Sequence, residues 1–222
     1  MNQNVMKALK RCPLFYEMKE EQISNIFAMT DFRTVELKKN GIYQICGDLL
    51  RYGDIVASGE LAARLTGMSG RQVEVIKIKS GDMIAPCFIF SSDRKLPVDI
   101  EATEDTTILR LTRQALAILI DANETVRMNF IRYISDIGAY LAARIEFLSL
   151  MTIREKIVYF LRTEAMLQHS LHIRLNTTRQ RLADSFAIQK FSLLRCLAQL
   201  AKEKIIRISG KDIEIIDIKR LK

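Results

Sequence analysis

Residues 123–150 are the stretch that most limits how this chain can fold. Positions Ile131, Ile134, Gly138, Leu141, Ile145 and Leu148 recur there in steps of three and four, the seam of a coiled coil. A second stripe, Tyr133, Ile137, Tyr140, Arg144 and Phe147, lies on another face of the same helix. A helix that is apolar on two sides must be covered twice. One face is expected against the body of the protein and the other against a second copy of the chain; a single buried helix in a monomer is the alternative.

What precedes this helix has a different texture. Up to about Thr30 the chain reads as short helices, with "EEQISNIFAM" placing Ile23, Ile26 and Phe27 on one side. From about Phe32 to Leu111, short alternating runs such as "QVEVIKIK" and "TTILRLT" are separated by turns at Gly41, Gly47, Gly53, Gly59, Gly70 and Gly81. Evenly spaced strands with turn signals predict an antiparallel barrel or roll. The opening "MNQNVMKALKRCPLF" has no long apolar run, so no secretion signal is expected, and no window approaches the roughly 18 uninterrupted apolar residues of a membrane span. Cys12, Cys46, Cys87 and Cys196 lie far apart without a CxxC pair, which argues against a disulfide framework or zinc ribbon and suits a reducing cytoplasm.

After the long helix, Thr152 and Glu155 in "MTIREKIVYFL" have the spacing of a capping box, so a new helix starts where the previous one stops. The break at Leu150–Met151 divides the chain into a domain over 1–150 and a second over 151–222. Charge is divided in the same way. Residues 151–222 hold 15 Lys and Arg against 7 Asp and Glu, while the other 150 residues hold 19 of each. The whole net charge of +8 therefore sits in the last third, the footprint of a nucleic-acid binder.

That last third contains "TTRQRLADSFAIQKFSLLRCLAQLAKEKIIRISG". Thr177 or Thr178 can cap a helix to about Phe186 that buries Leu182, Ala183 and Phe186. The chain must turn around Ala187. A second helix from about Gln189 to Lys202 then directs Leu193, Leu194, Leu197 and Leu200 inward, and Gln189, Lys190, Ser192 and Arg195 outward. "KIIRIS", Gly210–Lys211 and "DIEIID" make a two-stranded wing. This is a winged helix-turn-helix, whose second helix would enter the major groove of DNA.

With these motifs the chain resembles the Crp/Fnr family of bacterial transcription regulators. "TRQRLADSFAIQKFSLLRCLAQLAKEKII…GKDIEIID" is similar to the family's C-terminal pattern, "KKNGIYQICGD…SGEL…IKSGDMIA" to its β-roll sensor domain, and 123–150 to its dimerisation helix. The resemblance implies an α+β fold: an N-terminal antiparallel β-roll of the cyclic-nucleotide-binding type, the long helix, and the winged helix-turn-helix. It also implies a homodimer on a palindromic DNA operator, with RNA polymerase as protein partner. Carried onto this chain, Arg179 and Ser192 would contact phosphates, and Gln189, Lys190 and Arg195 would read or clamp DNA. Two positions depart from the pattern. Ala187 stands where the family usually has Gly, and Lys190-Phe191 replaces its frequent Arg-Glu pair. Phe191 cannot accept a hydrogen bond from cytosine N4; packing is expected of it, with contact to a thymine methyl as the alternative.

The same resemblance bears on the effector. Laid on the family's cyclic-nucleotide segment, "GDMIAPCFIFSSDRKLPVDIEA" puts Pro86 where a ribose-binding Glu belongs and Leu96-Pro97 where the phosphate-binding Arg-Ser pair belongs. Burying a phosphate without that cation is costly, so cyclic AMP is not expected. One N-terminal cysteine is too few for the iron–sulfur branch. Pro86, Phe88, Phe90, Leu96, Ile137 and Leu141 would form an apolar effector pocket. "APCFIF…LPVD" resembles the haem-dependent nitrosative-stress members, which leaves haem open beside another small ligand or a redox input. His169 and His172 fall in the DNA-binding half as exposed loop residues, so a haem would take Met, Cys, Tyr or the N-terminus as axial group.

No enzyme is expected: there is no Gly-rich nucleotide loop, no HExxH and no Ser–His–Asp order. The rival reading is a cyclic-nucleotide-type regulatory module that controls a partner protein instead of DNA.

Overall fold

The computed structural model describes residues 3–67 and 72–221, and Gly70 lies outside them. The chain divides into two units, Met1–Gly138 and Ala139–Lys222, with the division inside the long helix.

The first unit opens with α1 (Gln3–Arg11), a 3-10 turn (Pro13–Phe15) and α2 (Glu20–Ala28). Leu9, Leu14, Phe15, Ile23 and Phe27 are buried in the unit's core, and the Phe27 ring stands between those of Phe15 and Phe32 at centroid distances of 5.5 and 5.4 Å. Among the described residues seven strands follow: β1 (Phe32–Leu37), β2 (Ile42–Gln44), β3 (Ile55–Ser58), β4 (Glu60–Thr66), β5 (Gln72–Lys79), β6 (Asp99–Ala102) and β7 (Thr106–Leu111). They form two antiparallel sheets, β1-β7-β3 and β2-β6-β4-β5. This is the predicted β-roll. Gly59 makes the joint from β3 to β4 at φ 88°, where an added Cβ would stand 2.5 Å from Thr106 Oγ1 and 2.6 Å from the Asp105 carbonyl oxygen. Only glycine combines that φ with that approach.

A buried ion pair lies within the roll. The Asp54 carboxylate, fully buried, accepts hydrogen bonds from Tyr43 Oη at 3.0 Å and Arg110 Nε at 2.9 Å, and Arg110 stacks over the Tyr52 ring at 4.3 Å. Burial pushes the Asp54 carboxyl up and the guanidinium of Arg110 opposes that shift.

Between β5 and β6 lies the single turn α3 (Pro86–Ile89). After β7 come α4 (Arg113–Ala122), capped by Thr112 Oγ1 accepting from the Ala115 amide at 3.0 Å, and α5 (Glu124–Ser149). Asn123 Oδ1 accepts from the Val126 amide at 3.1 Å and starts α5. In its first half α5 sets Val126, Phe130 and Tyr133 on the core of the roll. Asn129 is buried there because its amide donates to the carbonyls of Leu14 (3.3 Å) and Tyr16 (2.9 Å).

The second unit holds the last turns of α5, then α6 (Ile153–Leu167), β8 (His172–Arg174), α7 (Arg179–Ser185), α8 (Lys190–Lys202), β9 (Ile206–Ser209) and β10 (Asp212–Ile215). The expected capping box is present: Thr152 Oγ1 accepts from the Glu155 amide and the Glu155 carboxylate accepts from the Thr152 amide at 2.7 Å. The wing differs from the sequence reading. It has three strands in the order β8-β10-β9, because Ile173 on β8 pairs with Ile213 on β10. His172 accordingly lies on a strand and not in a loop; both histidines are exposed. No helix among the described residues is long and apolar enough to cross a membrane.

Candidate nucleic-acid interface

The helix-turn-helix is assembled around a left-handed joint. Thr178 Oγ1 accepts from the Arg181 amide at 3.2 Å and begins α7. At the other end Ala187 takes φ 54°, its amide donates to the Asp184 carbonyl at 3.0 Å, and the Ile188 amide donates to the Ala183 carbonyl at 3.0 Å. These are the two bonds of a Schellman helix stop. The conformation that favours glycine is thus adopted by alanine.

Leu182, Ala183 and Phe186 of α7 and Leu193, Leu197 and Leu200 of α8 meet in the unit's core. Leu194 does not join them. It is 38 % exposed, because the helical period that buries 193, 197 and 200 turns position 194 toward the outer side. Phe191 does not pack either: it is 82 % exposed at the second position of α8.

Gln189, Lys190 and Arg195 are exposed and Ser192 is half-buried. α8 carries no Asp or Glu, so nothing on its own surface neutralises Lys190 and Arg195. Arg179 is differently placed. Its guanidinium is half-buried, one nitrogen donates to the Gly210 carbonyl at the wing turn (3.3 Å), and another is buried without a hydrogen-bond partner. Burial pulls its pKa below the usual arginine value.

Two further cations hold α7 and were not legible in the sequence. Lys156 is 5 % exposed, and its ammonium donates to the carbonyls of Leu148 (2.9 Å) and Phe186 (3.3 Å), the free C-terminal ends of α5 and α7. Arg144 donates to the Ser185 carbonyl and lies over the Phe147 ring. Positive charge at a helix C-terminus is favourable, and both cations lie over the ring of Phe147, which stands 5.4 Å from that of Phe186. A salt bridge of Arg154 to Glu203, at 2.7 and 3.1 Å, fastens α6 to the end of α8.

The residues expected to form a dimer seam separate into two groups. Ile131, Leu141 and Ile145 are exposed, Ile145 to 65 %, and an added Cβ at Gly138 would meet nothing within 4 Å. Ile134 is half-buried, and Leu148 packs on the core of the second unit. Of the proposed effector-pocket residues, Pro86 and Leu96 are buried, Leu96 within the core of the roll, while Phe88 packs on that core partly exposed. Phe90 is exposed with its ring edge-on to Phe130 at 5.7 Å. Ile137 is half-buried and Leu141 exposed. Among the described residues no group of three or more His, Cys, Asp and Glu could hold a metal ion.

The model of the Crp-like helix-turn-helix domain matches residues 155–222. The C-terminal unit contains a Crp-like helix-turn-helix domain. Solved structures resemble the chain well beyond that domain. A CooA variant from Carboxydothermus hydrogenoformans is similar over 100% of this chain and 95% of its own, at 17% identity and a TM-score of 0.66. A transcriptional regulator of the Crp/Fnr family from Eubacterium rectale is similar over 96% and 97%, at 21% identity and 0.59, and the catabolite activator protein of Thermus thermophilus over 94% and 96%, at 20% and 0.55. At these identities the likeness is one of fold. No curated protein matches the sequence. The C-terminal domain is thus Crp-like, and the fold of the whole chain is the one seen in these solved structures.

Proposed function

We propose that this Crp/Fnr-type regulator acts as a homodimer on a palindromic operator and is controlled by a small effector, or by a redox or gas signal, received in the β-roll. The observation that carries the DNA-binding part is the outer side of α8: Gln189, Lys190 and Arg195 stand exposed on an acid-free helix within a segment that holds the chain's whole net charge of +8. Arg195 can fork onto guanine O6 and N7, a contact worth about 1–3 kcal/mol of discrimination. Ser192 and Arg179 serve phosphates; Arg179 does so from a position already braced on the wing. Exposed Ile131, Leu141 and Ile145, with the open Gly138 between them, support a helix-to-helix dimer. Such a dimer sets two recognition helices about 34 Å apart, one turn of DNA. RNA polymerase is the protein partner, and the protein performs no chemistry of its own.

In the roll, Pro86 and Leu96 occupy positions at which a cyclic nucleotide would need an acceptor and a cation, which supports an effector other than cyclic AMP. The first unit has no histidine to offer a haem iron. Its thiols are unequal: Cys12 is buried with its pKa pushed up to about 12, Cys87 is exposed although partial burial pushes its thiol up too, and Cys46 is exposed and open to a metal or an oxidant. A module that controls a partner protein through the roll remains the second reading; the helix-turn-helix disfavours it.

The test has two arms. Enrichment of a random duplex library by the purified protein should yield a palindrome with half-sites one helical turn apart, bound by a dimer in sedimentation; failure to enrich any sequence would end the regulator reading. Titration with haemin, followed by exposure to nitric oxide, decides the signal. A Soret band that saturates at one haem per subunit and moves with nitric oxide assigns haem, and no saturable band assigns another small ligand or thiol oxidation.

A further inference from the structure

Phe191, Leu194, Arg195 and Ala198 are spaced by three, one and three residues, and all four are exposed. They form one continuous outer face of α8, beginning at the end of the helix that leads into the groove. Half of this face departs from solvent patterning: Phe191 leaves 82 % of its surface in water and Leu194 leaves 38 %. Nothing in the unit explains the exposure. The Phe147, Tyr159, Phe160 and Phe186 rings pack among themselves, so the domain has an aromatic cluster that Phe191 stays out of. Arg195, four residues on and on the same side, makes no ion pair among the described residues.

We infer that Phe191 is a specificity-determining residue that reads the C5-methyl group of a thymine in the operator half-site. This rests on the reading of α8 as the recognition helix. Charge identifies the occupant of the face: the surrounding segment carries +8 and α8 carries no carboxylate, so the complementary partner is a polyanion. Base chemistry then selects within it. In the major groove cytosine offers an N–H donor, guanine two acceptors, adenine a donor and an acceptor, and thymine an acceptor with a methyl group. Phenylalanine has no hydrogen-bonding atom. Against cytosine, guanine or adenine it would strip water from a polar edge and return nothing. Against thymine it covers a methyl and stays off the acceptor. Leu194, one turn further along, extends the apolar strip, while Arg195 supplies the fork for a neighbouring guanine. The half-site read by this helix is therefore a thymine beside a guanine.

The experiment removes the methyl and nothing else. In a duplex enriched from a random library by the full-length protein, each thymine of the half-site is replaced in turn by deoxyuridine, and binding is followed by fluorescence anisotropy. One methyl is worth about fourfold in affinity, so the wild-type protein should lose about fourfold at one thymine per half-site. Phe191→Ala should bind the thymine and deoxyuridine duplexes alike, and Phe191→Leu should keep part of the preference. Three results would overturn the inference. In the first, no thymine is sensitive in the wild type. In the second, Phe191→Ala is as sensitive as the wild type, which hands the methyl to another side chain. In the third, Phe191→Ala changes the sedimentation of the free protein, which makes Phe191 part of a protein interface. Failure to enrich any duplex is a separate outcome and removes the DNA-regulator reading together with this one.

Discussion

Ala187→Gly should stabilise the helix-turn-helix, although it removes a methyl group. Ala187 sits at φ 54°, and the amides of Ala187 and Ile188 close the Schellman pair onto Asp184 and Ala183. A left-handed conformation costs a non-glycine residue about 1–2 kcal/mol, because Cβ crowds the following carbonyl. Glycine removes that cost but gives the unfolded chain more freedom, worth about 0.4–1 kcal/mol in the opposite direction. Ala187 is exposed, so no buried contact is lost with the methyl. The difference favours glycine by about 0.5–1 kcal/mol. The affected unit spans Ala139–Lys222, and for a domain of that size 1 kcal/mol moves the midpoint by about 4–8 °C. Scanning calorimetry of the full-length protein should show the transition of the second unit rising by about 2–8 °C, and Ala187→Val, branched at Cβ, should lower it. A fall on Ala187→Gly would mean that residue 187 is not left-handed and that the turn is built in another way.

The other predictions concern charge, seam and core. Arg195→Ala should weaken binding to an enriched operator by about 1–3 kcal/mol while changing non-specific affinity far less; equal losses on both would reduce Arg195 to a phosphate contact. A Cβ added at Gly138 meets nothing within 4 Å, so Gly138→Leu should leave the fold intact while sedimentation and operator affinity drop as the partner helix is held off; unchanged values of both would place the interface elsewhere. Arg110→Met leaves Asp54 buried without its cation and should cost about 3–5 kcal/mol in chemical denaturation, with Asp54→Asn on top restoring part of the loss. A cost near zero would mean that Asp54 is already neutral in the wild type.

The parts of this molecule that are legible in the sequence are those decided within one turn of chain. α5 is read at 123–150 and found at Glu124–Ser149 because the apolar recurrence that defines it is continuous, and the start of α6 follows from Thr152 and Glu155 three residues apart. The exposed positions of Gln189, Lys190 and Arg195 follow in the same way from the period of α8. What was not legible depends on partners distant in the chain. β8 has only three residues and exists because β10, about forty residues later, pairs with it. Lys156 reads as a solvated lysine on an amphipathic helix. Only when the ends of α5 and α7 present two unbonded carbonyls to it does burying the ammonium become the cheaper arrangement.

Phe191 is the instructive failure. A phenylalanine beside a buried stripe is expected to pack, and the expectation is sound for a chain that has to satisfy only itself. The helical period refuses it: 193, 197 and 200 face the core, and two residues before 193 is the far side of the helix. The domain therefore keeps an aromatic ring in water although burying it would gain on the order of 2 kcal/mol. Local pattern, turn chemistry and core packing agree almost everywhere else in α7 and α8, so a violation at the N-terminal end of α8 is where a demand from outside the chain is to be sought. Exposure alone would let Lys190 and Arg195 serve a solvated surface as well as a DNA clamp; it is the acid-free helix and the +8 of the segment that favour the clamp. Phe191 fits only a surface that something else will cover, and so it carries more information about the partner than the basic residues beside it.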